Sequence, residues 1–257
     1  MAVIKYEPIE PPSQEVKLPS KGIPYKNDGK IEIRPITVQE EKILATGGEA
    51  VIDKILRKVI KSDINIEELT PGDESFILVW LRLNSYFDDY SVELLCPACK
   101  SEFKTIVKVS KFPVYQLKEG IEEPYELEVA GVKVGLRFLR RKDEKELEEI
   151  KKKLLKTKSD LSDLYLYRYA KAIHTIDGQE VKFSQAMSFL GSLTGKEMVK
   201  IRKALNDMKH GVEPVLEVKC KNCSAVSKFD IPLTAEFFLP SELPDDNGED
   251  LLLDEEA

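Results

Sequence analysis

All four cysteines of the 257-residue chain fall into two CxxC pairs, Cys96-Pro97-Ala98-Cys99 and Cys220-Lys221-Asn222-Cys223. A CxxC at the tip of a β-hairpin aims two sulfurs at one point. Two such tips brought together offer the four thiolates that a closed, tetrahedral zinc site takes. The flanking residues suit hairpins. The first pair lies between Ser91-Val92-Glu93-Leu94-Leu95 and Phe103-Lys104-Thr105-Ile106-Val107-Lys108-Val109. The second lies between Val215-Leu216-Glu217-Val218-Lys219 and Val226-Ser227-Lys228-Phe229-Asp230-Ile231. Alternation of apolar and polar residues on both sides of a turn-rich tetrapeptide marks half-buried paired strands. Cys96, Cys99, Cys220 and Cys223 are therefore the expected ligands of one structural Zn2+ per chain, with no open position for catalysis. Disulfides fit less well, because Met1-Ala2-Val3-Ile4-Lys5 lacks the basic-then-apolar layout of a secretion signal. A redox CxxC wants its first cysteine at a helix N-terminus.

The two pairs are 120 residues apart, against roughly 15–20 in a compact ribbon. Either a whole domain is inserted between two half-ribbons, or the pairs share metals with other chains. Insertion is the expectation, since a lone hairpin is too small to be stable. The expected class is α+β, a split zinc ribbon with N-terminal helices and an inserted α/β unit. Residues 1–112 and 214–240 are expected to form the arm, helices and ribbon, 113–213 the insertion, and 241–257 an acidic, disordered tail.

The rest of the chain supplies the elements that must hold these tips. Residues 1–30, with Pro8, Pro11, Pro12, Pro19 and Pro24, read as an irregular extended arm. A short strand over Ile31–Ile36 precedes helices near 38–45, 50–61 and 71–86, the last capped by Thr70 with Pro71 at its first position. Phe76–Leu81 is apolar nearly all round, which predicts a buried helix with Trp80 in the core. In the middle unit, Ala130-Gly131 separates two strand patterns, and 142–156 and 161–173 have helical periodicity. Ile176-Asp177-Gly178-Gln179 is a tight turn. Thr194 and Glu197 form a capping box for a last helix that should end at Gly211.

The formal charge of −7 is concentrated at one end: eight acids and no lysine or arginine lie between Ser241 and Ala257. The remainder is close to neutral, which argues against nucleic acid as the main partner. The longest apolar run, Phe76–Leu81, is far short of a membrane span. His174 and His210 are the only histidines, and no phosphate loop, dinucleotide fingerprint, nucleophile elbow or HExxH occurs. The expected character is a non-enzymatic interaction protein. Two apolar stretches are candidate partner-binding residues: Phe237, Phe238 and Leu239, which can also pack on the zinc domain, and Leu251, Leu252 and Leu253 among the tail acids.

Several stretches taken in order resemble one family. They are Leu18-Pro19-Ser20-Lys21-Gly22-Ile23-Pro24-Tyr25, Ile33-Arg34-Pro35-Ile36-Thr37, Glu40-Glu41, Gly72-Asp73, Leu81-Arg82, Ser85-Tyr86 and Tyr90, then both CxxC pairs and Phe237-Phe238-Leu239-Pro240. The chain resembles the baseplate hub proteins of T-even-like contractile-tailed bacteriophages, mainly over residues 18–112 and 215–240. The resemblance implies a hub subunit or an assembly chaperone of the baseplate. Its implied partners are other tail proteins (hub, spike or tape-measure components), and its implied locations are the host bacterial cytoplasm during assembly and the virion tail. The rival reading is a zinc-ribbon nucleic-acid or transcription adaptor, for which Lys100, Lys104, Lys108, Lys111, Lys219, Lys221 and Lys228 would form a basic stripe.

Overall fold

The computed structural model describes residues 10–48, 50–157 and 164–239. The chain enters through β1 (Gln14–Lys17), paired antiparallel with β2 (Lys30–Ile33), so Val16 faces Ile31. Within the described residues 10–30 the arm is thus a strand followed by a folded loop rather than an irregular extension. Strand formation at Gln14–Lys17 depends on a partner strand more than on its own residues. Leu18, Pro19 and Ser20 are buried. The loop turns back through positive φ at Lys21, Gly22, Lys26 and Gly29, and the Leu18 amide donates to the Gly29 carbonyl at 2.7 Å.

Helices α1 (Val38–Ala45), α2 (Val51–Val59) and α3 (Pro71–Ser85) follow. Thr37 and Glu40 close a capping box on α1, and Thr70 caps α3 ahead of Pro71. The apolar face of α2 buries Val51, Ile55, Leu56 and Val59. Trp80 is half-buried against the same core. The first CxxC hairpin is β3 (Asp89–Leu95) with β4 (Glu102–Lys108), the second β11 (Val215–Lys219) with β12 (Val226–Asp230).

Between them run β5 (Val114–Tyr115), β6 (Tyr125–Val129), β7 (Val132–Leu136), α4 (Arg141–Thr157), α5 (Leu164–Ala172), β8 (Ile173–Ile176), β9 (Gln179–Glu180), α6 (Phe183–Ser192), α7 (Gly195–Asp207) and β10 (Gly211–Val212). Strands β6-β7-β8-β9 form one antiparallel sheet. Its tight turns place Ala130-Gly131 and Asp177-Gly178 at positive φ, as two-residue hairpin loops require. Strand β5 pairs with β10, so the chain leaves and re-enters the hairpin side of the molecule along one short ladder.

Gly211 does not terminate the last helix, which stops at Asp207. Instead it opens β10 at φ 93, where a Cβ would stand 2.1 Å from the Gly72 carbonyl oxygen. The glycine answers to a close approach to α3, not to helix capping.

Buried apolar side chains form two clusters among the described residues. One gathers α1, α2 and α3 with Leu94, Phe103, Cys96, Cys220, Phe237 and Phe238; the other gathers Leu117, the β6–β8 sheet, and α5, α6 and α7. Polar strapping joins them. Leu117 donates to the Pro19 carbonyl at 2.9 Å, and Arg140 reaches the Pro24 carbonyl at 3.0 Å. Arg141, at the start of α4, pairs with Asp53 at 2.5 Å and Glu74 at 2.7 Å. Burial raises the Glu74 carboxyl above its ordinary range, opposed by Arg141.

Candidate metal centre

The two hairpin tips meet. Cys96 Sγ lies 3.7 Å from Cys223 Sγ, and Cys99 Sγ lies 3.8 Å from Cys220 Sγ. All four sulfurs are within 4.8 Å of one another, and every cysteine is a free thiol. The first cysteine of each pair is buried and the second exposed, so the cage sits half out of the surface.

The tips are built alike. The Cys96 amide donates to the Ser101 carbonyl and the Cys220 amide to the Ala225 carbonyl, each at 2.9 Å. The Lys100 amide returns to the Cys96 carbonyl, and the Ser224 amide to the Cys220 carbonyl, again at 2.9 Å. Lys100 and Ser224 both take φ 61, the left-handed residue that turns the chain sharply after the second cysteine. Below the tips, Phe103 meets Phe229 edge-on at 6.2 Å, fixing one hairpin against the other.

Neighbouring donors point at the sulfurs. The Ser101 hydroxyl donates to Cys99 Sγ at 2.9 Å and the Asn222 amide to Cys220 Sγ at 3.4 Å. Hydrogen bonds from Ser101 side chain and backbone hold the Cys99 thiol down at about 6. The Cys223 and Asn222 amides lower Cys220. At Cys223 the Ala225 amide works downwards, yet crowding by Cys99, Cys96 and Cys220 pushes the thiol up to about 12. Four converging thiols with second-sphere donors can hold one metal ion.

The other candidate residues fall elsewhere. Phe237 and Phe238 are fully buried in the first core, 5.3 Å apart, with Phe237 also edge-on to Tyr90 at 5.3 Å. Of the two readings open for this segment, packing on the chain's own core is the arrangement the rings adopt, and Leu239 is half-buried against that core. Leu251, Leu252 and Leu253 lie outside the described residues.

Two arrangements join residues whose mutual contact no local pattern announces. Arg82, buried on α3, donates to the Phe237 carbonyl at 3.0 Å and the Asp89 carbonyl at 3.2 Å, and its guanidinium lies over the Tyr86, Tyr90 and Phe237 rings. Burial lowers its pKa from the usual arginine range. It fastens the C-terminal segment beside the first hairpin. At the seam between the two cores, the Thr70 hydroxyl meets His210 Nε2 at 2.7 Å, while His210 Nδ1 lies 2.9 Å from the Met208 carbonyl. Nδ1 donates to that carbonyl, and Nε2 shares a hydrogen bond with the Thr70 hydroxyl. Beside them the Tyr25 hydroxyl donates to Asp73 at 2.6 Å and accepts from the Thr70 amide at 3.0 Å. Burial and the Asp73 charge raise the Tyr25 pKa well above the phenol range. Each member of this network holds an element in place.

Fold and site together define an α+β protein whose two distant hairpins are joined tip to tip by a four-thiol cage. The chain belongs to the T4 bacteriophage base plate protein family, whose family model matches residues 12–239. No curated protein and no solved structure matches it. Other phage tail proteins are the partners that a baseplate family implies. No helix among the described residues is long and apolar enough to cross a membrane.

Proposed function

We propose that this chain is a non-enzymatic component of the hub of a contractile phage-tail baseplate, folded around one structural zinc and acting by protein–protein binding. The family match over residues 12–239 carries this reading. Zinc is favoured by the dimensions of the cage. A tetrahedron with Zn–S bonds of about 2.3 Å has sulfur–sulfur edges of about 3.8 Å, against the 3.7 and 3.8 Å across the two closest pairs. Bound zinc would neutralise the thiolates and tie Cys96–Cys99 to Cys220–Cys223, adding its binding free energy to folding.

On this reading residues 113–213 are an insertion into a split ribbon. The separate buried clusters and the β5–β10 ladder support that division. A nucleic-acid role draws less support, because Lys108 is paired with Asp89 at 3.0 Å and Lys228 with Glu217 at 3.4 Å.

The test combines metal analysis with particle composition. Native mass spectrometry should show one zinc per chain, and purified virions or isolated baseplate intermediates should contain the chain. Presence in intermediates alone identifies an assembly factor. Absence from both overturns the hub assignment, and a metal-free chain with unchanged melting overturns the zinc assignment.

A further inference from the structure

A groove of about 580 Å³ opens at the seam between the two cores, beside the start of α3 and the ends of β7 and α7. Its floor includes Tyr169 and Leu205. Cations resting on exposed aromatic rings mark its two sides. Arg202 lies 5.6 Å from the centre of the Tyr165 ring, and Lys209 lies 4.4 Å from that of Tyr115. Arg202 meets no carboxylate among the described residues, while Lys209 is held by Glu213 at 2.8 Å. Arg168, also on the lining, touches Glu144 at 2.8 Å yet leaves that buried carboxylate oxygen without an aligned donor. The charged side chains lining the groove are four bases, Arg137, Arg168, Arg202 and Lys209, against one acid, Glu213, so the lining carries a positive excess around an apolar floor. It suits a short segment with apolar side chains flanked by acids.

The chain contains one. Residues 249–256 read Glu-Asp-Leu-Leu-Leu-Asp-Glu-Glu, within a stretch from Ser241 onwards that has eight acids and no base. Its reach is sufficient. The Phe237 carbonyl accepts from Arg82 near the end of α3, whereas Thr70, Pro71 and Gly72 at the opposite end line the groove. The 15 residues of α3 rise about 22 Å. The twelve-residue step from Leu239 to Leu251 spans up to about 40 Å. We propose that Leu251, Leu252 and Leu253 seat on the Tyr169–Leu205 floor of their own chain, with the flanking carboxylates against Arg202, Arg168 and Lys209. This docking needs neither zinc nor a baseplate partner, so it stands apart from the hub assignment.

A photo-crosslinking phenylalanine analogue at position 252 of the full chain tests it. Irradiation should give a cross-link within one chain, at monomer mass, mapping to α5 or α7 around Tyr169 and Leu205. The double variant Arg202→Glu, Lys209→Glu should lower the yield at least roughly tenfold at unchanged melting temperature. Raising salt from about 0.05 M to about 1 M should weaken the yield in the unaltered chain, a readout that does not depend on the variant folding. Cross-links mapping elsewhere, cross-links solely between two chains, or a yield indifferent to both salt and charge reversal would each overturn the proposal.

Discussion

Replacing Cys99 with serine removes one of the four sulfurs at an exposed position, so no internal cavity opens and the effect should pass almost wholly through the metal. A structural zinc contributes about 10–16 kcal/mol in small four-ligand sites, which apportions roughly 3 kcal/mol to each sulfur and a loss of affinity on the order of 100-fold or more. With zinc held above both dissociation constants, linkage carries that difference into stability at about 3 kcal/mol. For a chain of this length the melting temperature should fall by about 6–12 °C. The assay is a thermal melt of both proteins, with zinc and with a strong chelator, beside metal content by mass spectrometry. In chelator the two curves should coincide, since the Ser101 hydroxyl still has an oxygen to bond and the Phe103–Phe229 contact is untouched. Equal destabilisation with and without zinc would refute the reasoning, because Cys99 would then act through packing rather than through a metal.

Three further outcomes can be checked by denaturation. Arg82→Ala should cost about 2–4 kcal/mol in a urea melt, since it leaves the Phe237 and Asp89 carbonyls unpaired under the C-terminal segment; Arg82→Lys should not recover it, having no planar fork for two carbonyls. Gly211→Ala should destabilise by roughly 2–4 kcal/mol, as its Cβ would overlap the Gly72 carbonyl. Gly120→Ala, at φ 76 with open space around it, should cost only about 1 kcal/mol. The third concerns acid. Burial works to raise the Glu40 carboxyl, but hydrogen bonds from Arg34 and Thr37 hold it down at about 2. A depressed pKa stabilises the fold above the ordinary value and is lost as pH falls towards 2. Glu40→Gln should therefore flatten the dependence of stability on pH between about 4.5 and 2, read as the denaturation midpoint at each pH; an unchanged slope would show the Arg34 pair to be inert.

Short-range chemistry made several elements legible from residue order. Thr37 with Glu40, Thr70 with Pro71, and Thr194 with Glu197 cap their helices as their spacing requires, because a cap is completed within four residues. The Ala130-Gly131 and Asp177-Gly178 turns and the two CxxC hairpins are equally local. Pairing of the sulfurs across 120 residues was legible for another reason: four thiols in a chain without other cysteines have one economical way to converge.

Features that depend on the opposing surface emerge only once the chain is folded. Gln14–Lys17 becomes a strand because β2 is beside it. Gly211 is required by the Gly72 carbonyl rather than by α7. Phe237 and Phe238 could cover a partner or the chain's own core, and Arg82 with Tyr90 closes them into the core. His210 is joined to Thr70, 140 positions away in the chain, by a hydrogen bond at the seam. The physical reason is common to all four: burial and hydrogen-bond satisfaction are properties of a pair of surfaces, and one chain position specifies only its own half.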